Sequence, residues 1–150
     1  MPDESTDQII LGWEEWVSLP QLGIPALTAK IDTGARTSAL HAFAIEPFGS
    51  DNNPYVRFGV HPIPDRPDVE VFSSAKLVDR REVTSSNGEK ELRYVIETPV
   101  RIGELEWPIE VPLTNRESMQ YRMLLGRKAI DEQMIVDPNS SFLQEELSFD

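Results

Sequence analysis

Residues Leu27 to Gly34 limit the fold more than any other stretch of this chain. Leu27, Ala29 and Ile31 are apolar at alternate positions, with Thr28 and Lys30 between them. That is the two-residue period of a strand with one buried face. The strand then runs into a carboxylate, a hydroxyl and a glycine at Asp32, Thr33 and Gly34. Such a run sets an acid on a rigid element at the edge of a core. Gly34, lacking a Cβ, lets another backbone or a substrate come close. Ordinary turns also combine Asp, Thr and Gly, so the triplet alone leaves a structural reading open beside a catalytic one.

Most of the remaining chain also reads as strand. Ile9 to Leu19 forms a first strand with a bend at Gly12, and Pro20 to Pro25 turns it into a return strand, Ala26 to Asp32. Thr37 to Ala44 is a third short strand. Dense punctuation from Ile45 to Asp79 leaves room for two more, Tyr55 to Val60 and Val69 to Ser74. A hairpin follows with Ser85, Ser86, Asn87 and Gly88 at its tip, Asn-Gly being suited to a tight primed turn. Leu92 to Ile102 and Leu105 to Leu113 make another hairpin around Gly103-Glu104. Asn115 to Tyr121 is a polar connector. Arg122 to Leu125 is the last core strand, and Arg127 to Met134 is the one expected helix. Phe142, Leu143 and Leu147 stand as isolated anchors in an acidic terminal stretch. Trp13, Trp16 and Trp107 could line a binding groove, but at strand spacing packing is the favoured reading.

Composition narrows the function classes. The 150 residues suit one domain with its own core. A net charge of −12 repels a phosphate backbone, which argues against nucleic-acid binding. The absence of cysteine removes disulfides, thiol chemistry and Cys-ligated metals. An acidic N-terminus is unlike a signal peptide, and no apolar run approaches the ~20 residues of a membrane span. A soluble, cytoplasmic protein is the expectation.

A second motif gives the Asp32 stretch a context. Leu124, Leu125, Gly126 and Arg127 close a short apolar strand. Asp-Thr-Gly-Ala at 32–35 and Leu-Leu-Gly-Arg at 124–127 resemble the two signature segments of retropepsin-like aspartic peptidases. The chain is more closely similar to a bacterial family labelled ATP-dependent zinc proteases, encoded near ATP-grasp glutamate-ligase-like enzymes. The similarity runs from about Gly12 to Ile135. It includes Ala29 to His41, Asp79 to Gly88, Trp107 to Asn115 and Leu124 to Ile130.

The resemblance implies an all-β, retropepsin-like barrel, closed or partly open, with one short helix near the C-terminus. Its boundaries are a flexible acidic tail over 1–8, the domain over 9–136 with a family-specific insertion at 45–79, and a terminal tail over 137–150. It implies an aspartic endopeptidase with Asp32 catalytic and no cofactor. Two carboxylates must share one proton in such a site, yet no other Asp here precedes Thr-Gly or Ser-Gly. The second then comes from another copy across a two-fold axis, making a homodimer. Thr33, Gly34, Ala35, Arg36, Leu124, Leu125, Gly126 and Arg127 would support the dyad and the cleft, and Ser85 to Gly88 would tip a flap.

Arg36 departs from the retroviral pattern, where that position carries an acid paired with the Arg after the late glycine, here Arg127. Both cations then need other carboxylates, or Arg36 faces the cleft and holds a substrate carboxylate. Acidic peptides are thus one expected substrate class, and a glutamate-ligase-like protein an expected partner. The rival expectation is a non-catalytic module that keeps the fold to bind peptides or that partner. The label's metal and nucleotide find no counterpart in the residues. His41 and His61 are the only histidines, His-Glu-x-x-His is absent, and so is a phosphate-binding Gly-x-x-x-x-Gly-Lys loop.

Overall fold

The computed structural model describes residues 9–63, 65–84, 88–115, 121–130 and 134–147. The early chain folds as its alternation dictates. Gly12 breaks the first strand into β1 (Ile9–Leu11) and β2 (Glu14–Leu19). The Pro20–Leu22 3-10 turn ends on Gly23 at φ 74°, a left-handed conformation that suits glycine. It reverses the chain into β3 (Ile24–Asp32), where Leu27, Ala29 and Ile31 are all buried.

The strands β4 (Ala39–His41), β5 (Phe43–Ser50), β6 (Asn53–Val60), β7 (Val71–Thr84), β8 (Lys90–Ile102), β9 (Leu105–Thr114), β10 (Met123–Gly126) and β11 (Met134–Val136) follow. Within the main sheet the order is β2-β3-β10-β4-β9-β8-β7-β6-β5, and β2 also pairs with β8. That extra pairing closes β2, β3, β10, β4, β9 and β8 into a barrel. The fold is all-β, as expected. Its interior is filled from several strands by residues such as Leu19, Leu40, Ile96, Leu113 and Leu125. No helix among the described residues is long and apolar enough to cross a membrane.

The segment from 45 to 79 supplies most of β5, all of β6 and the first half of β7, an antiparallel extension of the barrel wall. The side chains of Phe43 and His61 stack at 4.3 Å over this extension. Gly59 lies beneath the Phe43 ring, which comes within 2.5 Å of where a Cβ would stand. The second hairpin forms where expected, with β7 and β8 paired from Leu77 and Ile96 as far as Thr84 and Lys90. Of its expected tip, Ser85, Ser86 and Asn87 lie outside the described residues, while Gly88 takes φ 86°.

Two expectations are corrected near the end of the chain. The helix expected over Arg127 to Met134 is a 3-10 turn, Arg127–Ala129, and Ile130 is already extended. Met134 instead opens β11, which pairs parallel with β1 and therefore must be extended. Phe142 and Leu143 are not isolated anchors. Phe142 N–H donates to the Glu14 carbonyl, and its ring lies 5.9 Å from Trp16. The buried Glu15 carboxylate receives three backbone N–H groups: Gly12 at 2.7 Å, Leu143 at 2.9 Å and Gln144 at 3.1 Å.

Tyr121 ties the polar connector to the same region by donating its hydroxyl to Glu14 Oε1 at 2.6 Å. Burial first, then the bond to Glu14 and its charge, push this phenol up to about 12. Because the folded value lies above the ordinary one, the stabilisation is complete below pH ~10 and is lost as pH rises towards 12. Tyr121→Phe should remove this late phenol from an ultraviolet pH titration and cost about 1 kcal/mol at neutral pH in urea unfolding.

Candidate active site

Asp32 ends β3, and its register partner on the neighbouring parallel strand is Gly126, with Leu125 opposite Ile31. The two motifs recognised from the sequence are therefore side by side. The Asp32 carboxylate is half-buried, and its Oδ1 accepts the Gly34 N–H at 3.0 Å. Ala35 N–H returns to the Asp32 carbonyl at 3.2 Å, which closes the turn.

The loop after Asp32 is clamped along the segment after Gly126. Arg127 N–H donates to the Ala35 carbonyl at 2.8 Å and Lys128 N–H to the Arg36 carbonyl at 3.1 Å. From the other side, Gly126 N–H donates to Ser38 Oγ at 3.1 Å. No side chain fits at Gly126, because a Cβ there would collide with the Thr37 backbone carbonyl. Gly126→Ala should therefore lower stability by about 2–3 kcal/mol in urea unfolding, since backbone cannot move aside as a side chain can. A variant as stable as the parent would contradict the clamp.

The expected site residues fall into one neighbourhood, with differences. Thr33, Gly34 and Arg36 are exposed, Ala35 and Leu124 are half-buried, and Leu125 and Gly126 are buried. Of the two alternatives for Arg36 and Arg127, a carboxylate partner or an opening onto the cleft, the carboxylate partners are not found among the described residues. Arg127 Nη1 instead donates to the carbonyls of Thr33 and Gly34 at 3.3 and 3.4 Å, bracing the Asp32 turn. Arg36 lies open, with no ion pair among the described residues.

His41 and His61 meet as stacked rings 6.4 Å apart, and His61 Nε2 lies 3.1 Å from Glu70 Oε2. Among the described residues no group of three His, Asp or Glu could hold a metal ion. In the β7–β8 hairpin, Arg81 bridges Asp79 at 2.7 Å and Glu110 at 3.1 Å. The Arg81 hydrogen bond, aided by the Arg80 N–H, holds the Asp79 carboxyl below its ordinary range. Trp107 Nε1–H donates to the Ala129 carbonyl at 2.9 Å, fixing the turn after Arg127. Sequence reading favours packing over groove lining for Trp107, and no local signal marks its bond across 22 residues.

An all-β barrel with Asp-Thr-Gly beside Leu-Leu-Gly in parallel register defines a retropepsin-like chain. More specifically, the chain belongs to the RimB-like family, described as retropepsin-like aspartic endopeptidase RimB, which it matches over residues 10–147. Proteins of Shewanella pealeana and Shewanella halifaxensis, each named "Probable alpha-L-glutamate ligase", are 48% and 47% identical to it over 92% of its length. The chain spans 30% of each of these relatives. A crystal structure of a Legionella pneumophila protein of unknown function superposes with a TM-score of 0.75 at 32% identity. That likeness covers 91% of this chain and 98% of the other.

Proposed function

We propose that the protein is an aspartic endopeptidase whose dyad forms when two copies bring their Asp32 carboxylates together. The observation that carries this reading is the clamped turn that presents the half-buried Asp32 carboxylate beside Gly126. Family membership supports it. One carboxyl of the pair would hold the shared proton while its twin takes a proton from water. The water oxygen attacks the peptide carbonyl, and the protonated carboxyl supplies the proton that the oxygen or departing amine requires.

Two further features support the assembly and the substrate class. Ile10 and Ile135 are register partners in the β1–β11 pair and are 49% and 46% exposed. This apolar face offers a second copy a place to dock. Arg36, Arg127 and Lys128 lie together by the Asp32 turn with no carboxylate paired to them among the described residues. In a chain of charge −12, that cationic rim suits acidic peptides. Relatives named for glutamate ligation carry a similar unit, which suits a glutamate-bearing substrate and a ligase as partner.

Cleavage of acidic and neutral peptides, measured over protein concentration and pH beside sedimentation, tests the reading. Activity should track dimer fraction, show a bell-shaped pH profile, favour acidic peptides and survive chelators. A stable dimer that binds acidic peptides without cutting them would support the rival binding module, which the open Arg36 favours.

A further inference from the structure

A cavity of about 280 Å³ lies between the β8–β9 hairpin and both segments that frame Asp32. Thr37 and Ser38 line it from the loop after Asp32, Lys128 from the turn after Gly126, and Glu97, Trp107 and Glu110 from the hairpin. Asp32 is not part of the wall. The cavity is thus distinct from the proposed dyad, yet it shares the clamp that holds it.

Its charges are unusual in their pairing. Glu97 and Glu110 are direct register partners, and like charges in that position repel. Arg81 relieves Glu110, at 3.1 Å, and also holds Asp79. Glu97 is exposed and forms no ion pair among the described residues. Lys128 is likewise exposed and unpaired among them. One small cavity therefore presents a carboxylate and an ammonium that form no ion pair, with each other or with any other of the described residues.

We propose that this cavity binds a zwitterionic α-amino acid. Its ammonium would pair with Glu97 and ease the repulsion from Glu110, its carboxylate would pair with Lys128, and its side chain would lie against Trp107. Sites for drug-sized ligands occupy about 300–1,000 Å³, so a cavity just below that range suits a smaller molecule. A ligand there touches Thr37–Ser38 and Lys128 at once, so it stiffens the clamp around Asp32.

Calorimetric titration of the full chain with L-leucine and L-glutamate tests the site without any peptidase assay, so its outcome is separate from the catalytic reading. At least one of the two amino acids should bind. For leucine, 3-methylbutylamine and 4-methylpentanoate each keep the side chain and one charge. Where leucine binds, each should bind at least about tenfold more weakly, as loss of a charged hydrogen bond requires. Glu97→Gln and Lys128→Gln should each weaken amino-acid binding by a similar factor. Both positions are exposed, so urea unfolding should match the parent. No binding by either amino acid, equal binding by a one-charge analogue, or unchanged binding in either folded variant would overturn the proposal.

Discussion

The Asp32→Asn protein is expected to lose peptide cleavage by at least about a thousandfold while folding as the parent does. The amide is nearly isosteric with the carboxyl, and its Oδ1 can still accept the Gly34 N–H that shapes the turn. What it lacks is an ionisable proton, and a dyad that shares one proton cannot work with an amide in each half. Stability in urea should change by less than about 1 kcal/mol, because Asp32 is only half-buried and the turn's backbone bonds remain. Activity that survives in the variant, or that resides in a proven monomer, would sink the mechanism.

The largest loss of stability is expected from Glu15→Ala, about 3–5 kcal/mol in urea unfolding. Glu15 is 0% exposed and accepts N–H groups from Gly12, Leu143 and Gln144. Alanine removes all three acceptor contacts and leaves the donors beside a buried gap without an acceptor side chain. Hydrogen exchange should show the loss first at Leu143 and Gln144, since their segment depends on Glu15. Glu15→Gln, which retains one carbonyl oxygen, should lose less. A Glu15→Ala variant within 1 kcal/mol of the parent would show that the segment is held mainly by other contacts.

How far the fold could be read in advance depended on whether its cause was local. Leu27, Ala29 and Ile31 announce a half-buried strand by alternation, and Gly103 announces a hairpin turn, realised at φ 59°. The neighbourhood of Asp32 and Gly126 was legible only through the paired motifs. Glu15 was not legible at all. In a sequence it is indistinguishable from an exposed strand glutamate, and its burial is compensated by amides 128 and 129 positions away. The short turn after Gly126 was misread for a related reason. Arg127 to Met134 permits a helix, but the extended pairing of Met134 with Ile9 overrides that propensity. The charge on the cavity wall was equally hidden, because Glu97 faces Glu110 only through strand register.

The barrel closes between β2 and β8 at one register pair, Ser18 with Arg101, whereas β8 and β9 are joined by a ladder of eight. Its circumference therefore has a seam. Near it the Ser73 hydroxyl reaches the Leu22 carbonyl and acts as a rivet between the wall extension and the turn after β2. Parting this seam sacrifices little hydrogen bonding, so the cylinder can breathe there while the β8–β9 ladder stays zipped. The amides of Ser18 and Arg101 should exchange before those of Ile96 and Val111. The hairpin of β7 and β8 then becomes a lever standing on one lip of this weakest line, since β8 itself borders the seam.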